Sequence, residues 1–242
     1  MSFETVLKAA QDGDPDAQTA MGYLFFKGEG VGQDRREAAR WFGLAADRGN
    51  AEAMCNLAYI KAHGYGVVCD IPGAMELYEK SAELGYPQAM FNLGFMYSDV
   101  EAVEQDWEKA RYWYSKAAEA GSTMAMHRLG VIYEEGRGCP PDHAKARECY
   151  SKAFDAGYPR SGVRMALMDI RDGGSPEKAS RILIKAADMG SEDAMLELGR
   201  MSLSGEGMVR SEANARKWLK KAAVRGSAEA AALLKEIEGR RS

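Results

Sequence analysis

A 36-residue period governs this chain. Ala17, Ala53, Ala89, Ala125 and Ser161 stand 36 positions apart, and Ala194 and Ala230 resume the spacing after one interval of 33. Glycines keep the same rhythm at Gly13, Gly49, Gly85, Gly121, Gly157, Gly190 and Gly226. Self-similarity at a period of about 20–50 residues marks repeated supersecondary units, none of which buries its apolar face alone. The chain is therefore one unit written several times.

Within each unit, apolar residues at i, i+3 and i+4 mark two helices. The first carries an apolar residue followed by a small one: Met21-Gly22, Leu57-Ala58, Leu93-Gly94, Leu129-Gly130, Met165-Ala166 and Leu198-Gly199. A small residue there lets a neighbouring helix come close. The second carries Ala38, Ala74, Ala110, Ala146, Ala179 or Ala215, followed by large pairs such as Trp41-Phe42 and Trp113-Tyr114 that belong to the core. Asp34, Asp70, Asp106, Asp142, Ser175 and Ser211 each stand four residues before that alanine, where a side-chain oxygen accepts from free helix N–H groups. The periodic glycines suit the left-handed position that ends a helix, and Pro15, Pro87 and Pro159 suit a first turn.

These signals predict a single all-α domain over 1–242, a right-handed α-solenoid of helix-turn-helix repeats with about fourteen helices. A cap helix lies in 1–13, six repeats span 14–49, 50–85, 86–121, 122–157, 158–190 and 191–226, and a second cap lies in 227–242. Lys235, Glu236, Glu238 and Arg240 give the last helix the polar face that a terminal unit needs.

Taken together, these residues resemble the Sel1-like repeat family, relatives of the tetratricopeptide repeat with a longer loop in each unit. Residues 17–49 and 125–157 carry the pattern most fully, each keeping a G-x-G turn, Gly28/Gly30 and Gly136/Gly138. Two repeats depart from it. The third has the acidic stretch Ser98-Asp99-Val100-Glu101 in place of the turn, and the fifth is three residues short with Gly173-Gly174 in its loop. A local change of pitch is expected near 99–102 and 172–175. The resemblance implies a scaffold or adaptor that assembles proteins, in signalling, stress or host-contact pathways. Secreted relatives with a cysteine pair in every repeat suggest an alternative, an exported protein with hydrolytic or wall-binding activity.

Composition narrows the classes further. A formal net charge of -4 argues against a nucleic-acid binder, which usually carries a basic stripe. The start, with Glu4 and no long apolar run, does not read as a signal segment, so a cytoplasmic location is expected. Membrane insertion is not expected either. Cys55, Cys69, Cys139 and Cys149 are too few and too irregular for a disulfide framework or a zinc site, and read as reduced thiols. No two of His63, His127 and His143 have metal-pair spacing, no nucleophile elbow occurs, and Glu134-Glu135 reads as a solvated loop edge. No catalytic residue, metal or cofactor is assigned.

Aligning the first helices gives two ladders on the face expected to line a concave groove. The residue before the apolar–small pair is Asn56, Asn92, Arg128 and Arg164 in successive repeats, and the residue after it is Tyr23, Tyr59 and Phe95. The two offsets are three apart and share a helix face. Amides and guanidiniums can hold a peptide backbone and its carboxylates, while Tyr23, Tyr59, Phe95 and the nearby Phe26 and Phe91 offer apolar anchors. The expected partner is another protein or a peptide segment, and the end caps also allow copies of the chain to join.

Overall fold

In a computed structural model, residues 3–98 and 104–239 are described. They form fourteen helices and no strand: α1 (Phe3–Gln11), α2 (Pro15–Lys27), α3 (Arg35–Ala46), α4 (Ala51–His63), α5 (Ile71–Glu83), α6 (Pro87–Ser98), α7 (Trp107–Glu119), α8 (Thr123–Glu135), α9 (His143–Asp155), α10 (Pro159–Arg171), α11 (Pro176–Asp188), α12 (Glu192–Ser204), α13 (Glu212–Val224) and α14 (Ala228–Gly239). The expected all-α class and helix count are borne out. The expected pitch change at 99–102 lies outside the described residues, as does Arg240.

The boundaries are set by the residues that mark them in the sequence. Asp34 accepts from the N–H groups of Arg36 and Glu37, and Asp70, Asp106, Asp142, Ser175 and Ser211 each cap their helix by accepting from the residue three positions on. Each such cap is worth about 1 kcal/mol. The seven periodic glycines all have positive φ, between 84° and 108°, a conformation that costs other residues strain.

A second bond closes the loop within a repeat. The N–H of each capping residue donates to the carbonyl nine positions back, Asp34 to Phe25, Asp70 to Lys61, Asp106 to Tyr97, Asp142 to Tyr133 and Ser211 to Ser202, at 2.8–3.0 Å. The fifth repeat has lost it. Only 172–175 separate α10 from α11, against 28–34 between α2 and α3, and the N–H of Gly174 turns back to Asp169 at 2.7 Å instead.

The contacts group the chain into two compact units, Met1–Ala125 and Met126–Ser242. In the first, helices paired within a repeat alternate with contacts to the next repeat, around Met21 and Trp41, then Phe42 and Ile60, then Tyr78 and Leu93. In the second, the core runs from Tyr150 and Met168 to Leu183, Leu198 and Leu219. The small residue of the first helix acts as the sequence suggests. A Cβ on Gly22 would lie 2.6 Å from the Phe42 ring, one on Gly94 2.7 Å from Tyr114, and one on Gly199 2.6 Å from Leu219. Burial of such a side chain contributes about 1.5–3 kcal/mol, so in these repeats closeness at the glycine lets the large side chain fill the core.

Candidate functional site

In the first unit, α2, α4 and α6 present one face each to a cavity of about 260 Å³. Tyr23, Phe26 and Phe42 form one wall, Asn56, Tyr59 and Ile60 a second, and Gln88 and Asn92 the third. Five of the nine residues named as partner contacts, Tyr23, Phe26, Asn56, Tyr59 and Asn92, therefore meet around one space.

Their polar atoms are chained. Asn56 Nδ2 donates to the Tyr23 hydroxyl at 2.7 Å, and that hydroxyl donates to Glu52 Oε1 at 2.8 Å. Burial, reinforced by Glu52 and opposed by the bond from Asn56, pushes the Tyr23 phenol above its ordinary range, so it stays a donor. Across the cavity, Gln88 Nε2 donates to Asn92 Oδ1 at 2.9 Å and Asn92 Nδ2 donates to Cys55 Sγ at 3.6 Å. Burial pushes the Cys55 thiol up to about 12, which makes it a neutral lining atom rather than a nucleophile. Tyr59 is 39 % exposed and stands at the mouth, with Phe26, His63 and Tyr65 packed about its ring.

Phe91 and Phe95 lie on α6 but do not line this cavity. Phe91 packs on Tyr114 with ring centroids 5.5 Å apart, and Phe95 is 43 % exposed. Arg128 and Arg164 belong to the second unit. Arg128 is exposed, whereas Arg164 is tied to Glu134 at 3.0 Å and to Glu135 at 3.3 Å.

The reading of Glu134 as part of a solvated loop edge is corrected by this contact. Its side chain is 8 % exposed, and it also accepts from the Tyr150 hydroxyl at 2.7 Å and pairs with Arg171 at 3.1 Å. Burial opposes its ionisation, but the Tyr150 hydrogen bond and the two guanidiniums outweigh burial and hold its carboxyl below the usual range. Two site residues, Glu52 and Gln88, were not singled out in the sequence. They stand 36 apart and four positions before Asn56 and Asn92, so a third ladder at that offset would have found them.

Among the described residues, no group of three or more His, Cys, Asp and Glu is placed to hold a metal ion, and no helix is long and apolar enough to cross a membrane.

A family model for the Sel1 repeat matches residues 15–50, 51–86, 87–122, 123–158 and 192–227. The chain belongs to the Sel1 repeat family. The internal stretch between these matches, 159–191, is the shortened repeat with the lost loop bond. A Sel1 repeat protein from Oxalobacter formigenes is similar in structure, with 29 % identity over 88 % of this chain and 89 % of that one and a TM-score of 0.80. A protective antigen of uropathogenic Escherichia coli with an SLR fold is 29 % identical over 96 % of this chain at a TM-score of 0.60, although this chain spans only 58 % of its length. Yeast Tom70, at 15 % identity and a TM-score of 0.52 over 98 % of this chain and 60 % of that one, shares the fold alone. A search of curated proteins gave no match. The Sel1 repeat fold is typical of protein-interaction scaffolds and is generally non-catalytic.

Proposed function

We propose that this Sel1 repeat protein is a scaffold that receives an extended segment of a partner protein in the cavity between α2, α4 and α6. The observation that carries this reading is the meeting of Asn56, Gln88 and Asn92 with Tyr23, Phe26 and Tyr59 around one open space of about 260 Å³. Amides serve a peptide backbone as donor and acceptor at once, and rigid aromatic rings give contact area at little cost in entropy. The volume suits one side chain of a partner better than a free small molecule, whose sites occupy about 300–1,000 Å³. The reading includes a cytoplasmic location, where thiols such as Cys55 and Cys69 stay reduced.

A photo-crosslinking residue placed at Tyr59 in the full chain, in its native host, should give discrete protein adducts. The same residue at Tyr112, 55 % exposed on α7, should not. Adducts at 59 should disappear when Asn56→Ala and Asn92→Ala are combined. Adducts from 112 and none from 59 would move the interface off this cavity.

A further inference from the structure

Beside the cavity stands a carboxylate with no cationic partner among the described residues. Glu52 lies one hydrogen bond behind the lining residue Tyr23, is also bonded by the Tyr86 hydroxyl, and forms no ion pair among the described residues. Asn56 spends an N–H on Tyr23 and Gln88 spends one on Asn92, which leaves the carbonyl oxygens of both amides as acceptors. An incoming donor with positive charge would satisfy all three groups.

The walls favour the same ligand. Phe26 and Tyr59 have ring centroids 6.4 Å apart at an interplanar angle of 73°, and Tyr65 is 6.3 Å from Phe26. Rings of this cluster already draw cations. The Arg35 guanidinium lies 4.4 Å over Tyr65 and the Lys27 ammonium 5.9 Å over Tyr23. The charge of the whole unit points the same way, since residues 1–125 hold 11 Lys and Arg against 19 Asp and Glu, a net of -8, whereas 126–242 hold 21 against 17, a net of +4.

Resting on the reading that this cavity receives a partner segment, we propose that the residue it takes is an arginine. The guanidinium stacks on the Tyr59 ring with its edge toward Phe26, and its N–H groups reach Glu52 and the amide oxygens of Asn56 and Gln88. A planar guanidinium stacks on aromatic rings and offers five donors, whereas an ammonium is a compact and more strongly hydrated charge. An apolar side chain would fill the space and leave Glu52 without a cation.

The test uses the full chain and three blocked pentapeptides, Gly-Gly-X-Gly-Gly with X as arginine, its uncharged isostere citrulline, or leucine. Side-chain amide signals of Asn56, Gln88 and Asn92 report binding by NMR. The arginine peptide should shift them and bind about tenfold more tightly than the citrulline peptide. Glu52→Gln, which keeps an acceptor for Tyr23, should weaken arginine binding more than citrulline binding and so remove that advantage, with the helical circular dichroism unchanged. Equal shifts of these amides by citrulline or leucine would overturn the arginine assignment while leaving a peptide site in place. No shift from any of the three peptides would overturn both readings, and so would a cavity closed by self-association in a dilution series.

Discussion

The Tyr150 hydroxyl and Glu134 Oε2 sit 2.7 Å apart, joining the second helix of a repeat to the last turn of its first helix. Arg164 and Arg171 of the next repeat reach the same carboxylate. Glu134→Ala should therefore lower stability by about 1–3 kcal/mol, the cost of leaving a buried hydroxyl without its partner. The two arginines are half exposed and add little. Urea titration of the variant checks this. Because the Glu134 carboxyl is held below its ordinary value, its contribution is full above that value and is lost as pH falls through the folded one. The difference between wild type and Glu134→Gln should accordingly shrink in acid.

His127 gives a second experiment with the same sign in acid. Burial, with Arg128, Arg164 and Arg160 nearby and Glu134 acting against them, pulls its imidazole down to about 4. Its ring lies 3.0 Å from the Ser161 hydroxyl and packs on Tyr150 and Tyr158. The unfolded chain takes up a proton at about pH 6.5 and the folded one does not. Stability should fall between about pH 6.5 and 4, by at most about 1.4 kcal/mol per pH unit from this group. His127→Gln should flatten that slope in a series of melts, and an unchanged slope would show that other groups carry it.

Two glycines should respond with opposite signs. Gly22→Ala forces a methyl to within 2.6 Å of the Phe42 ring and should cost about 1–3 kcal/mol. Gly43→Ala, inside α3 with nothing within 4 Å of the added carbon, should gain about 0.4–1 kcal/mol. Thermal melts of both variants decide it.

The thiols should separate by environment. Cys69 is exposed, while burial raises Cys55 to about 12 and Cys149 to about 11. A disulfide reagent at pH 8 should modify Cys69 in the native chain and reach Cys55 and Cys149 only after denaturant is added. Rapid native labelling of Cys55 would contradict the packing around Asn92.

Much of this architecture can be read from the chain, because helix ends make local chemical demands. Asp34 caps the residues next to it, and Gly49 takes up a left-handed turn whatever lies elsewhere in the fold. Tyr23 and Asn56 are legible as ladder positions, yet their bond joins different repeats and depends on how α2 and α4 lie side by side. Glu134 is the clearest loss. Beside Glu135 it looks like any charged helix end, and nothing within a turn of it announces that Tyr150 and Arg164 close over it. Gly173-Gly174 marks the altered loop, but the bond from Gly174 to Asp169 that replaces the missing one needs coordinates.

The seating of Phe42 on Gly22, of Tyr114 on Gly94 and of Leu219 on Gly199 joins partners that stand about twenty positions apart inside one repeat. Gene rearrangement meets that arrangement as a reading frame of its own. Excision or duplication of 36 codons keeps each such pair about twenty positions apart, whereas a change of another length parts one pair and opens a hole. The number of repeats can thus drift over evolutionary time while the sequence inside a repeat stays interlocked.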